Sequence, residues 1–374
     1  MRWAAGRVAR RAAVAVVVVG VMGLTMVAHA APSQEDTATD AAAIMEAAVA
    51  APGPGPGLSV DPALLAEALA CNDAGSRDGA VLLVHGTGLT ASESWDQTYV
   101  PVLTADDYSV CTVRLPMRAL ADAQVSSEYV VYAVRELYER FGGAVDVITH
   151  SQGALEARWA VRFWPDIGDK LDDLIMLSGS NHGTIAADAI CLQQLKGCTE
   201  SVAQQRPGSL FLAALNNGDE TPAGPDYSSI YSFTDEIVVT SALNPSPAIA
   251  GASNTAVQEI CPFRPVSHIQ MITDTVAYAL VRDALDNEGA ADPERIDRKR
   301  VCTRLVADGM TPVDALINAS TYLPAGASIF LTRGMAEPAL KPYALAALPA
   351  EAQAPSLRPV RSLLSSAFGL AGSR

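Results

Sequence analysis

Short apolar runs bounded by glycine and polar residues recur along the chain. Ala80–Val84 and Leu174–Leu177 have the length and branched content of buried strands. Val145-Asp-Val-Ile-Thr149 is another, and it stops abruptly. Ser229–Phe233 alternates apolar and polar residues, and Ala256–Ile260 is a further strand-like run. Between two of these runs the period changes. Val130, Val134, Leu137 and Phe141 fall at i, i+4, i+7 and i+11, with Glu128 near the start and Gly142-Gly143 at the end, which predicts an amphipathic helix. A second helix is predicted over Met271–Leu285, its stripe Ile272, Val276 and Leu280 facing the core. Strands alternating with helices predict βαβ units and the α/β class, with a mostly parallel central sheet flanked by helices.

The N-terminus follows a different pattern. Arg2, Arg7, Arg10 and Arg11 precede the apolar run Ala12–Val27 and then Ala28-His29-Ala30. This is the layout of a secretory signal peptide over residues 1–30, cleaved after Ala30. The run of about 16 residues is shorter than the roughly 20 that a spanning helix needs. Its removal would take the formal net charge from −15 to −19 by subtracting four arginines. So acidic a chain is repelled by nucleic acid and by anionic lipid. Six cysteines in an oxidising compartment predict three disulfides, with fifteen pairings open. CxxC and HExxH spacings are both absent from the sequence, so no metal is expected.

The chemistry concentrates at Thr149-His150-Ser151-Gln152-Gly153. A strand-like run ends here and a helical pattern follows at once, the setting of a nucleophile elbow. Such a turn needs a small residue where helix meets strand, and Gly153 supplies it. In that arrangement the acid and then the histidine follow the serine along the chain. Of five histidines only His182 and His268 follow Ser151. His182 follows too closely to leave room for an intervening acid strand, so His268 is preferred. Among the acids between, Asp166, Asp169, Asp172, Asp173, Asp188, Asp219 and Asp226 stand in polar, helix-end or turn contexts. Asp235 follows the alternating run and would sit where open sheets bind ligands, and Glu236 reads as a solvated neighbour. The loop His85-Gly86-Thr87-Gly88 after Ala80–Val84 lets backbone approach a substrate closely and could offer an oxyanion donor, with the Thr87 hydroxyl as a further one.

Taken together these segments resemble the Candida antarctica lipase B-like family of α/β-hydrolase lipases. The likeness rests on Leu82–Gly88, Thr149–Gly153, Tyr231–Val238, Val257–Cys261 with His268, and Glu337–Ala344, and it spans roughly 58–344. It implies an α/β-hydrolase fold with a small cap, Ser151 as nucleophile, Asp235 as orienting acid, His268 as base, and Thr87 and Gln152 at the oxyanion hole. It also implies Cys71–Cys111 and Cys261–Cys302 bridges, which leaves Cys191–Cys198 as a local staple. His150 and Leu89 stand where the family's type member has Trp and Thr, and Ser180 lies near the place of an Asp. With Gln205, these are the expected pocket positions that depart from or border on that pattern, so the type member's alcohol preference is not carried over. The segment 184–206 is expected to form the restrained cap.

The organisation expected is a signal peptide at 1–30, an Ala/Pro/Gly-rich linker at 31–57, the hydrolase domain at 58–344 and a low-complexity tail at 345–374. Asn318-Ala-Ser320 is a formal glycosylation sequon. The function expected is that of a secreted, extracellular serine esterase or lipase. It would work on an ester or lipid substrate, with a lipid–water interface as a candidate partner. No cofactor, no nucleic acid and no transmembrane segment in the mature chain are expected, and the chain should be a monomer. An acyltransferase using the same acyl-enzyme, and a non-catalytic binding protein on the same fold, are the alternatives.

Overall fold

Seven strands make one sheet in the computed structural model, which describes residues 53–350 apart from 73, 74, 78, 194–197, 239–245 and 333–335. The signal-peptide segment, most of the linker and the tail beyond 350 lie outside the described residues. The strands are β1 (Leu69–Asn72), β2 (Ala80–Val84), β3 (Val110–Val113), β4 (Val145–His150), β5 (Leu171–Leu177), β6 (Asp226–Tyr231) and β7 (Ser253–Ala256). Their order is β1-β3-β2-β4-β5-β6-β7. Only β1 runs antiparallel to its neighbour, and every other pair is parallel. This is the mostly parallel sheet of an α/β-hydrolase.

Parallel strands covered on both faces need apolar residues on both. The central strands meet this: all of β2 is buried. Leu82, Val84, Val147, Leu174 and Met176 point into one core layer, while Val81, Leu83, Ile148, Ile175 and Leu177 point into the other. Helices α1 (Ala123–Phe141) and α2 (Gly153–Phe163) cover the first layer. The α1 helix is the one predicted from its period. Asp122 caps its start and Gly142, at φ 68°, ends it. Three further helices matter for the site, α3 (Ile185–Gln193), α4 (Glu200–Gln204) and α6 (Pro312–Leu331), while α5 (Thr275–Asp286) packs in the second layer.

Two sequence expectations shift. The run Ala256–Ile260 is not a strand beyond its first residue. β7 stops at Ala256, whose N–H donates to Glu259, and Val257–Ile260 turns helical under that cap. The second predicted helix starts late: Gln270–Ile272 is a 3-10 turn, and α5 begins only after Asp274, whose carboxylate accepts from Val276 and Ala277. At the edges, the carbonyls of Pro54 and Pro56 accept from Arg135 and Trp164, and Leu348 is buried in the first core layer.

All six cysteines are paired, as Cys71–Cys111, Cys191–Cys198 and Cys261–Cys302. Cys71 and Cys111 are register partners across β1 and β3. Asn318 of the sequon is 1% exposed and donates to the carbonyls of Glu93 and Ser94. Its amide is thus a buried structural donor. Among the described residues no helix is long and apolar enough to cross a membrane.

Candidate active site

Ser151 stands between the end of β4 and the start of α2, with φ 57°. A non-glycine residue in the left-handed region is strained, and such strain persists only where the surroundings impose it. Here two glycines allow the approach. A Cβ on Gly153 would lie 2.6 Å from the Val84 carbonyl oxygen, and one on Gly86 would lie 2.8 Å from the Ser151 Cβ. Helix, strand and the loop after β2 therefore close around the serine.

His268 lies across the same cavity as Ser151. Its Nδ1 is 2.8 Å from Asp235 Oδ2, which leaves Nε2 as the free ring nitrogen. The other Asp235 oxygen accepts from the N–H groups of Ile237 and Val238 at 2.9 and 2.8 Å. Burial pushes this carboxyl up, but the charge and hydrogen bond of His268 and the loop amides outweigh it and hold it below the usual carboxylate range. The backbone of His268 is tied as well. Its N–H donates to Glu236 at 3.1 Å, and its carbonyl lies 3.1 Å from His150 Nε2. Glu236 thus anchors the histidine loop, a contact the sequence reading missed.

His150 is fully buried, its ring 4.7 Å from that of His268. Burial, with the neighbouring His268 charge, lowers its pKa to about 3, so the ring is neutral. Its Nε2–H then donates to the His268 carbonyl, and Nδ1 faces the Tyr322 hydroxyl at 3.5 Å. The rival His182 pairs with Glu220 at 2.7 Å and does not line the cavity. Among the other acids, Asp166 pairs with Arg135 and Asp188 with Arg206.

The loop after β2 is pinned by His85. Its Nδ1 meets the Gly86 carbonyl at 3.0 Å and its Nε2 accepts from the Leu115 N–H at 3.1 Å. Thr87 and Gln152 face each other beside Ser151. The Thr87 hydroxyl donates to Gln152 Oε1 at 2.5 Å and accepts from Gln205 at 3.0 Å. Its proton is therefore committed to Gln152, and it would have to turn to serve a substrate oxygen. Gln205 also donates to Gln152 Oε1, and Ser180 donates to Gln205. Behind them, Gln152 Nε2 donates to Glu156 at 2.6 Å. Glu156 is fully buried and its Oε2 has no partner. Burial outweighs the Gln152 bond and raises its pKa to about 8.

The cavity has a volume of about 210 Å³. Of the expected pocket residues, Leu89, His150 and Gln205 line it, whereas Ser180 stands behind Gln205. One wall is the 184–206 segment, through Ala187 and Ile190 of α3 and Val202 of α4. The Cys191–Cys198 bridge ties these two helices together. A second wall is α6, through Tyr322, Ala325, Gly326 and Ile329, the last of which also packs against Ala187 and Val202. No apolar period in the sequence marks α6. A signal was present: Thr311 caps it, Pro312 opens it, and Asp314 completes a capping box. Pro324 inside the helix masks the pattern.

Comparison with known proteins gives the same architecture a family. Lipase B of Pseudozyma antarctica is 32% identical over 300 residues, covering 78% of this chain and 87% of that protein. Triacylglycerol lipase of Pseudomonas fragi is 27% identical over 150 residues, or 39% of this chain and 45% of that protein. The crystal structure of Aspergillus fumigatus lipase B superposes with a TM-score of 0.71 at 29% identity, covering 78% of this chain and 74% of that one. Residues 79–280 match the family described as Lipase (class 2), and the chain belongs to it.

Proposed function

We propose that the chain is a secreted serine esterase that hydrolyses lipid-like carboxylic esters through an acyl-enzyme on Ser151. The observation that carries this reading is the His268–Asp235 pair opening on the same apolar cavity as a serine held at φ 57°. His268 Nε2 takes the Ser151 proton as Oγ attacks the ester carbonyl. Asp235 fixes the imidazole tautomer and stabilises its cationic form. The backbone amides of Thr87 and Gln152 receive the oxyanion, each donor contributing on the order of 10²–10³ in rate. The protonated histidine releases the alcohol, and water then cleaves the acyl-enzyme.

The substrate class follows from the walls. They are mostly apolar, and the helices that build them carry exposed apolar residues: Ile185 and Leu192 on α3, Leu323 on α6. These suit a lipid–water interface. Secretion is supported by the N-terminal leader pattern and by three disulfides. The hydrolase domain is assigned to 58–344.

The test is a hydrolysis profile over p-nitrophenyl esters of increasing chain length and emulsified triacylglycerol, run with and without an added alcohol. Ester cleavage that favours longer chains is the expected result. Absence of turnover on every ester would sink the reading. A dominant transfer to alcohol in water would place the protein among acyltransferases instead.

A further inference from the structure

At the far end of β4 from Ser151, the starts of three parallel strands bring together carboxylates that the ester chemistry does not use. Asp146 is on β4, Asp172 and Asp173 are on β5, and Asp226 begins β6 as the register partner of Asp173. In a regular strand, neighbouring side chains point to opposite faces. Here the register is broken. Val145 pairs with Leu171 but Val147 pairs with Leu174, so Asp146 alone faces both Asp172 and Asp173. Such a bulge re-aims side chains. It brings one carboxylate oxygen from each of the three to within 4.8 Å of the others.

This cluster is not simply a solvated acidic face. Asp173 is 4% exposed, and its Oδ1 is buried with no hydrogen-bond partner. The Oδ1 of Asp146 is in the same condition, although that carboxylate also accepts from the Asp173 N–H. A buried carboxylate oxygen without a partner is costly. The charges acting most strongly on Asp173 are all of its own sign: Asp146, Asp172, Asp226 and Asp283. Of these, Asp283 is offset by Arg295 at 2.7 Å. Asp172 is exposed and gives access from solvent.

We propose that Asp146, Asp172 and Asp173 form a structural binding site for a divalent cation of the calcium type. Calcium takes six to eight oxygens at 2.3–2.6 Å in loose geometry, so two of its ligands can stand up to roughly 5 Å apart. The three carboxylates fall inside that span, and the open Asp172 side leaves room for water to complete the shell. The ion would tie β4 to β5 and supply the counter-charge that the buried oxygens lack. It lies away from the catalytic end and takes no part in ester cleavage.

The experiment uses the full secreted chain, stripped with a chelator and then given calcium chloride or magnesium chloride. Calcium at about a hundred times its dissociation constant should raise the melting temperature by on the order of 5 °C. Isothermal titration should show one calcium per chain, with magnesium weaker. The double variant Asp146→Asn/Asp173→Asn should lose the shift while its turnover of a soluble ester stays within twofold. Asp172→Asn, at an exposed position, should weaken calcium binding at least tenfold and serves if the double variant fails to fold. A parent chain that shows neither heat nor shift at 10 mM calcium would overturn the proposal and mean that the three carboxyls balance their charge with protons. A shift that survives in the variants would overturn it equally, by placing the ion elsewhere.

Discussion

The side-chain amide of Gln152 is clamped by Glu156, 2.6 Å away in the protein interior. That bond decides which way the amide faces. With Nε2 on Glu156, Oε1 is turned to Thr87 and Gln205, so the residues beside the proposed oxyanion position are locked as a set. Glu156→Leu leaves Nε2 unpartnered and should cost about 1–3 kcal/mol of stability. It should also lower kcat by on the order of tenfold, through a looser oxyanion site. Glu156→Gln can still accept from Gln152 and should stay near the parent in kcat. Steady-state kinetics on a soluble ester separates the two. Equal loss in both variants would mean that the bond to Gln152 is not what positions these residues.

The same residue sets a pH dependence. Folded Glu156 keeps its proton up to about pH 8, whereas the unfolded chain loses it near 4.5. Between those values the folded state binds more protons, so this group's stabilisation is complete below 4.5 and declines as pH rises towards 8. The slope reaches about 1.4 kcal/mol per pH unit. Urea unfolding of the parent and of Glu156→Gln at pH 5, 6.5 and 8 checks this. The gap between them should move in favour of the variant as pH rises, and a constant gap would contradict the assignment.

Ser151→Ala removes the proposed nucleophile. The expected loss in kcat is on the order of 10⁶, with unfolding behaviour close to that of the parent because alanine keeps the backbone and the Cβ. Activity within tenfold of the parent would refute the role given to this serine.

Asp235 and Glu236 are adjacent in sequence but reach different atoms of His268, the ring and the backbone N–H. Asp235→Asn should cost roughly 10⁴ in kcat by favouring the wrong tautomer. Glu236→Gln keeps an acceptor for the N–H and should cost less than about tenfold, the size of one such bond. The reverse order would exchange their roles.

The Cys191–Cys198 bridge ties α3 to α4 along one cavity wall. Replacing both cysteines by serine should change turnover of long-chain emulsified esters more than that of short soluble ones. An equal effect on the two substrates would deny this wall a part in access.

Much of this arrangement is legible in the sequence because it is local. The strand–turn–helix around Ser151 is written in consecutive residues, and the α1 period in one short stretch. What escaped the sequence is non-local or defies pattern. Glu156 is a carboxylate on a helix whose residues Gly153–Val161 are all buried, a burial that arises from tertiary packing and has no local signal. Glu236 looks like any surface acid until the loop carrying His268 folds across it. Helix α6 carries apolar residues on every side, Leu323 and Phe330 outward as well as Ala325 inward, so no single stripe marks it. The β4–β5 bulge has no sequence signature at all.

The three disulfides follow one another along the chain without overlapping: 71 with 111, 191 with 198, 261 with 302. Each cysteine is joined to its nearest unpaired predecessor. Under the proposed secretion, a chain emerging from a pore N-terminus first presents them in that same order, so each bridge can close before the next pair arrives. Of the fifteen ways to join six cysteines, this one needs no bond to be undone on the way. Oxidative maturation of this enzyme should therefore place little demand on catalysts that reshuffle disulfides, and much on those that form them.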